Sequence, residues 1–153
     1  MKLHVPILAP PDKNSCIQEL LSQDEPISAL RILVAEDDPT ICRLIAGVLE
    51  NDGFLVNMTY DGEQAWETLN LNRYDLLITD NEMPHLTGLE LIERIRKAGM
   101  SLPIIVSSGS FSVESVRNFA QLQISAIIPK PFRLSEFPDT VRDALSASKV
   151  AAT

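Results

Sequence analysis

The chain of 153 residues is 45% hydrophobic and 22% charged, a composition typical of soluble globular proteins that excludes wholesale disorder. At roughly 150 residues per domain the length suits one folded unit, large enough to bury a core without a disulfide or structural metal. With 13 basic against 21 acidic side chains the net charge is −8, so the whole-protein field repels nucleic-acid backbones and anionic membranes.

The longest apolar runs, such as Ile32 to Ala35, fall far short of the ~20 residues that span a bilayer, and the N-terminus lacks a hydrophobic signal core. The expected location is cytoplasmic, and the expected partners are proteins rather than nucleic acid or membrane. Cys16 and Cys42 have neither metal-ligand spacing nor a disulfide framework, so both read as reduced thiols.

In chain order, residues 1–29 form an N-terminal extension broken by Pro6, Pro10, Pro11 and Pro26. Within it Ser15-Cys16-Ile17-Gln18 has the form of a capping box, opening a short helix with Ile17, Leu20 and Leu21 on one face. From Arg31 onward short apolar runs alternate with helical periods, the pattern of a parallel sheet wrapped by helices. Predicted strands are Arg31 to Ala35, Phe54 to Met58, Asp75 to Thr79, Ile104 to Ser107 and Ser125 to Ile128, with an apolar content that suits burial on both faces. Asp38-Pro39 opens a helix with a core stripe of Ile41, Leu44, Ile45, Val48 and Leu49. Asp61 caps a second, which turns Ala65, Trp66 and Leu69 inward. Thr87-Gly88-Leu89-Glu90 boxes a third, with Leu91, Ile92 and Ile95 inside and Gly99 at its end. A fourth covers about Ser112 to Leu122. A fifth begins after Ser135, with Pro138 at its third position, and a flexible tail occupies residues 148–153.

Chemistry in an open α/β sheet gathers beyond the carboxyl ends of the strands. Strand 1 runs into Glu36-Asp37-Asp38, strand 3 ends at Asp80, strand 4 at Ser107-Ser108 and strand 5 just before Lys130, while strand 2 ends in Thr59-Tyr60 and offers nothing comparable. If the strand order is 2-1-3-4-5, acid, acid, hydroxyl and lysine share one rim. Carboxylates crowded together have raised pKa values or bind a cation, and an all-oxygen ligand set suits Mg2+ or Mn2+. Such an ion, with Lys130 and a serine, holds the oxygens of an incoming phosphoryl group, and the acid between them, Asp80, is the nucleophile. Asp38 is a helix cap, and His85 has no second histidine nearby.

Val34-Ala35-Glu36-Asp37-Asp38, Asp80-Asn81-Glu82-Met83-Pro84 with Gly88, then Ser108, then Lys130-Pro131-Phe132 resemble the receiver domain of two-component response regulators, in family order and spacing over residues 30–147. The resemblance implies a flavodoxin-like, doubly wound (βα)5 sandwich with a five-stranded parallel sheet in the order 2-1-3-4-5. It implies Asp80 as phosphoacceptor, Asp37 as direct Mg2+ ligand with Glu36 acting through water, the Glu82 backbone carbonyl as a further ligand, and Ser108 and Lys130 as the groups that meet the phosphoryl oxygens. The Lys130-Pro131 peptide would be cis. The implied donor is a sensor histidine kinase or histidine phosphotransfer protein, and the protein is not an enzyme in the usual sense but supports its own phosphotransfer and dephosphorylation.

Two positions depart from the family pattern, and two more bear on phosphoryl lifetime. Ile127 stands where an aromatic switch residue is common, Gln123 where a glycine often ends helix 4, and Glu82 and Ser110 lie at positions that tune dephosphorylation. The expected function is a single-domain response regulator that signals to an unknown downstream protein by contact or passes the phosphoryl group on. The N-terminal helix either adds a homodimer contact or covers the signalling face. Two alternatives are a receiver-like constitutive binding module that is never phosphorylated, and a haloacid-dehalogenase-like phosphatase. The latter rests on Glu36-Asp37-Asp38-Pro39-Thr40, which puts glutamate where that chemistry needs aspartate.

Overall fold

The structure, a computed structural model, describes residues 30–152; the short helix expected at Ser15 and the thiol of Cys16 lie outside them. In chain order the elements are β1 (Arg31–Ala35), α1 (Pro39–Asn51), β2 (Leu55–Thr59), α2 (Gly62–Leu71), β3 (Leu76–Asp80), α3 (Gly88–Lys97), β4 (Ile104–Ser108), α4 (Val113–Gln121), β5 (Ala126–Pro129) and α5 (Glu136–Ala152). The five strands are parallel and lie in the order β2-β1-β3-β4-β5, the doubly wound arrangement that the resemblance implies.

Alternation along the central strands divides the core in two. Ile32 and Val34 of β1, with Leu76 and Ile78 of β3, pack against Ile45 and Leu49 of α1 and Phe137 and Val141 of α5. Leu33, Ala35 and Leu77 face the other way, toward Ala65, Leu91, Ile95 and Phe119 of α2, α3 and α4. Because successive residues of a strand point to opposite faces, an unbroken apolar run is what a strand covered on both sides requires. The edge strand β2 does not follow that rule: Leu55, Asn57 and Met58 are exposed, since an edge position leaves it with one neighbour and partial cover.

The caps are where the local sequence places them. Asp38 Oδ1 accepts from the amides of Thr40 and Ile41 at 2.9 and 3.3 Å, Asp61 Oδ1 from Gln64 at 2.7 Å, and Thr87 and Glu90 close a reciprocal box. The buried face of α1 is Cys42, Ile45, Ala46 and Leu49, and Leu44 is left outside. Two overlapping stripes of helical spacing exist in that segment, and periodicity alone cannot choose between them. Trp66 is half-buried at the core margin, not sealed within it, with the Arg94 guanidinium 5.8 Å from the ring centre. Pro138 is the third residue of α5 as expected, but that helix continues to Ala152, past the tail expected from Ser148. No glycine or proline lies in that stretch to stop it. No helix among the described residues is long and apolar enough to cross a membrane.

The end of α4 is unusual. Gln123 has φ 57°, the left-handed conformation that glycine adopts without cost. Its amide donates to Ala120 O at 3.2 Å and that of Ile124 to Phe119 O at 3.5 Å, the paired bonds of a Schellman ending. Arg96 of α3 holds this turn: it donates to Leu122 O at 2.8 Å and Gln123 O at 3.2 Å, and to Met100 O and Leu102 O, both at 2.9 Å. One side chain thereby satisfies carbonyls of two loops. Gln123→Gly is expected to stabilise the protein by about 0.5–1 kcal/mol, the left-handed penalty less the entropy glycine adds to the unfolded chain. Urea unfolding checks this, and a loss of stability would mean the glutamine side chain contributes more than its backbone costs.

Candidate functional site

Parallel pairing brings the carboxyl ends of β1, β3, β4 and β5 to one edge of the sheet, with Ala35 opposite Thr79 and Asp80 opposite Ser107. Asp80 closes β3 and is 2% exposed. The turn after it is set by Gly88, the first residue of α3, because a Cβ there would lie 2.5 Å from Asp80 O and 2.8 Å from the Asn81 Cα. Any side chain would displace the backbone that carries Asp80, so α3 docks this closely only through glycine. The Gly88 amide donates to Asn81 O and the Leu89 amide to Asn81 Oδ1, both at 3.0 Å.

Three carboxylates meet here: Glu36, Asp37 and Asp80 each offer an oxygen, all within 4.8 Å of one another. Glu36 is buried and Asp37 exposed. Glu36 Oε1 accepts from the Asp38 amide at 3.1 Å. Its Oε2 is buried without a hydrogen-bond partner among the described residues, because Lys130 Nζ, at 3.7 Å, is too distant for one. An orphaned carboxylate oxygen beside two other acids fits a bound cation, and ligands that are all oxygen fit a hard divalent ion such as Mg2+.

Lys130 follows β5 and crosses to Asp80, with Nζ 3.0 Å from Oδ1; the Lys130-Pro131 peptide is cis. The Glu82 amide reaches the same Oδ1 at 3.2 Å. Burial pushes the Glu36 carboxyl up to about 7, with the Asp80 charge adding to the rise and the Asp38 amide and Lys130 opposing it. Burial likewise raises Asp80, against the pull of Lys130. Burial on its own would lower Lys130, but its hydrogen bond to Asp80 and the acids around it hold it above the ordinary lysine value.

Ser108 is fully buried and its hydroxyl does not point to solvent. Oγ lies 2.6 Å from Glu82 Oε2, and the Gly109 amide donates to Glu82 Oε1 at 3.0 Å. Burial would raise Glu82, but the bonds from Ser108, Gly109 and Asn81 outweigh it and keep this acid below its usual range. The sequence marks Glu82 for its backbone carbonyl and its place in the chain, not for this contact. No local signal shows a bond between residues 26 apart. The structure brings together Glu36, Asp37, Asp80 and Lys130, with Ser108 one residue beyond the partner of Asp80. Asp38 and His85 are not among them.

The sequence profile described as the response regulator receiver domain matches residues 32–142. The chain belongs to that family. Among curated relatives, the transcriptional regulatory protein TctD of Salmonella typhimurium is 31% identical over 119 residues, covering 78% of this chain and 53% of that protein. The response regulator MprA of Mycobacterium ulcerans is 35% identical over 124 residues, covering 80% and 53%. The chain therefore spans about half the length of these relatives. Among solved structures, the receiver domain of Francisella response regulator 1452 superimposes with a TM-score of 0.73 at 28% identity, over 78% of this chain and 98% of that one.

In this receiver the raised Glu36 carboxyl makes stability depend on pH. Between about pH 4.5 and about pH 7 the native protein keeps a proton on Glu36 that the unfolded chain has lost. Stability from this group is therefore complete below that window and declines as pH rises through it, by up to about 3 kcal/mol. In metal-free buffer Glu36→Gln is expected to flatten this decline. Denaturant unfolding at a series of pH values measures it, and parallel curves for the two proteins would show that Glu36 is not the cause.

Proposed function

We propose that this protein is a phosphoacceptor of two-component signalling, taking a phosphoryl group on Asp80 from a phosphohistidine of a sensor histidine kinase or histidine phosphotransfer protein. The observation that carries the reading is the seating of a lysine on a buried carboxylate, Lys130 Nζ to Asp80 Oδ1 at 3.0 Å, beside two further acids within 4.8 Å. Lys130 orients that carboxylate and supplies a positive charge where phosphoryl oxygens would gather. The Asp80 carboxylate attacks phosphorus; a P–O bond forms as the donor's P–N bond breaks, and the bonding pair leaves on the imidazole nitrogen. Glu36, Asp37 and the Glu82 backbone carbonyl would hold Mg2+ next to Asp80, where the ion, when bound, offsets charge on the transferring group.

The product adds about 1.5–2 negative charges at neutral pH, which Ser108 and Lys130 answer by changing partners, biasing an existing equilibrium between two arrangements. Position 127 offers no aromatic switch because it is isoleucine, half-buried on the core that includes Val106 and Phe119. The change would travel from Ser108 through the loop of residues 109–112 into α4. Phe111 in the preceding loop and Val113 and Val116 at the start of α4 are 37%, 78% and 44% exposed, an apolar surface suited to a protein reader on the face of α4, β5 and α5. The net charge of −8 favours protein contact over direct nucleic-acid binding. The receiver unit begins at residue 30 and includes α5, and it signals to a downstream protein by contact or relays the phosphoryl group. The protein supports its own phosphorylation and dephosphorylation without turning over a separate substrate, and acts in the cytoplasm.

Incubation with acetyl phosphate and Mg2+ is expected to add one hydroxylamine-labile phosphoryl group to the intact mass, and none to Asp80→Asn or to wild type in EDTA. A wild type that gains nothing from acetyl phosphate or from several phosphohistidine donors would favour a constitutive binding module.

A further inference from the structure

Two hydrogen-bond donors at the end of β4 converge on one anion. The Ser108 hydroxyl and the Gly109 amide lie 2.6 and 3.0 Å from the two oxygens of the Glu82 carboxylate, and the Asn81 amide group supports it at 3.3 Å. A hydroxyl next to a backbone N–H, both aimed at a bidentate anion, is the donor pair an oxyanion needs. Gly109 lies on the rim of the acceptor site: a Cβ there would sit 3.9 Å from both the Glu82 carboxylate and Lys130 Cβ, and Lys130 is the residue seated on Asp80. The donors are thus placed for a group on Asp80 but engaged by a neighbour's carboxylate.

We propose that Glu82 is a positioning residue whose carboxylate withholds the Ser108 hydroxyl and the Gly109 amide from a phosphoryl group on Asp80 until it swings away, an inference that rests on Asp80 being the phosphoacceptor. The hydroxyl has one proton to donate. Ser110 O also lies within reach at 2.9 Å, but the shorter contact to a charged acceptor takes it. Glu82 is exposed at the surface, so its carboxylate exchanges the two donors for water at little desolvation cost. The Ser108 side chain is buried and cannot do the same. Phosphorylation therefore displaces the Glu82 carboxylate with a more highly charged anion, and the loop of residues 109–112, tied to Glu82 through Gly109, changes partner in the same event.

A double-mutant cycle tests this, with beryllofluoride plus Mg2+ as the phosphoryl mimic and calorimetric affinity as the readout. Glu82→Ala is expected to tighten binding about tenfold when Ser108 is present, the worth of one hydrogen bond to a charged group. In a Ser108→Ala background the gain should fall to about threefold or less. Equal tightening in both backgrounds would overturn the proposal, since Glu82 would then act by charge repulsion alone, and no tightening would overturn it too. In the unliganded protein the Gly109 amide resonance should move in Glu82→Ala; an unmoved resonance counts against the contact itself. Failure of all four proteins to bind beryllofluoride would instead bring down the phosphoacceptor reading and the latch with it, whereas wild-type binding with an unaltered cycle brings down the latch alone.

Discussion

Three carboxylates gathered at the end of a parallel sheet are the constraint around which the rest of this structure is arranged. Glu36, Asp37 and Asp80 bring ligand oxygens within 4.8 Å of one another, and two of the three residues are buried. Like charges at this distance in a poorly solvated place are unfavourable. The protein answers with one cation, Lys130, one amide from Asp38 and one from Glu82, and leaves Glu36 Oε2 without a hydrogen bond among the described residues, with Lys130 Nζ at 3.7 Å. That incomplete neutralisation suits a hard cation, and burial, with the Asp80 charge adding to it, holds the Glu36 carboxyl up to about 7.

The fold bears this cost because the strands that carry the acids are central and buried. β1 and β3 lie in the middle of the sheet with helices on both faces, so the backbone behind Glu36 and Asp80 has little freedom to relax the repulsion. The fit of Gly88 against the carbonyl of Asp80 adds a further restraint on the same residue. α4 is less well covered, with Phe119 its one buried residue. Its exposed start follows the Ser108 loop directly, while its left-handed end at Gln123 lies at the opposite edge of the sheet, held by Arg96. On the proposed function, a fixed acceptor beside a less well covered helix divides the work of a switch, with a charge change at Asp80 finding its response where the packing yields.

Glu82 joins these two regions. Its amide helps to orient Asp80, while its carboxylate holds the donors that lead into α4. One residue therefore touches both Asp80 and the loop that leads into α4, by two chemically separate groups. On the proposed function, isoleucine at position 127 supplies no mobile aromatic there, and the hydroxyl and the loop behind it take a larger share of the coupling.

Much of this was legible in the sequence, for a physical reason: caps, periods and strand runs are encoded within a few residues of one another. Asp38, Asp61 and Thr87 cap the helices they precede, Gly99 ends α3, and the apolar runs mark five strands whose last residues carry the acids, the serine and the lysine. Tertiary structure decided what depends on distance in space rather than in sequence. It chose between two helical stripes in α1, left β2 as an exposed edge and Trp66 at the margin, and let α5 run on to Ala152. Above all it paired Ser108 with Glu82 across 26 residues. The order of strands that brings those residues together is a property of how layers pack, and no single segment contains it.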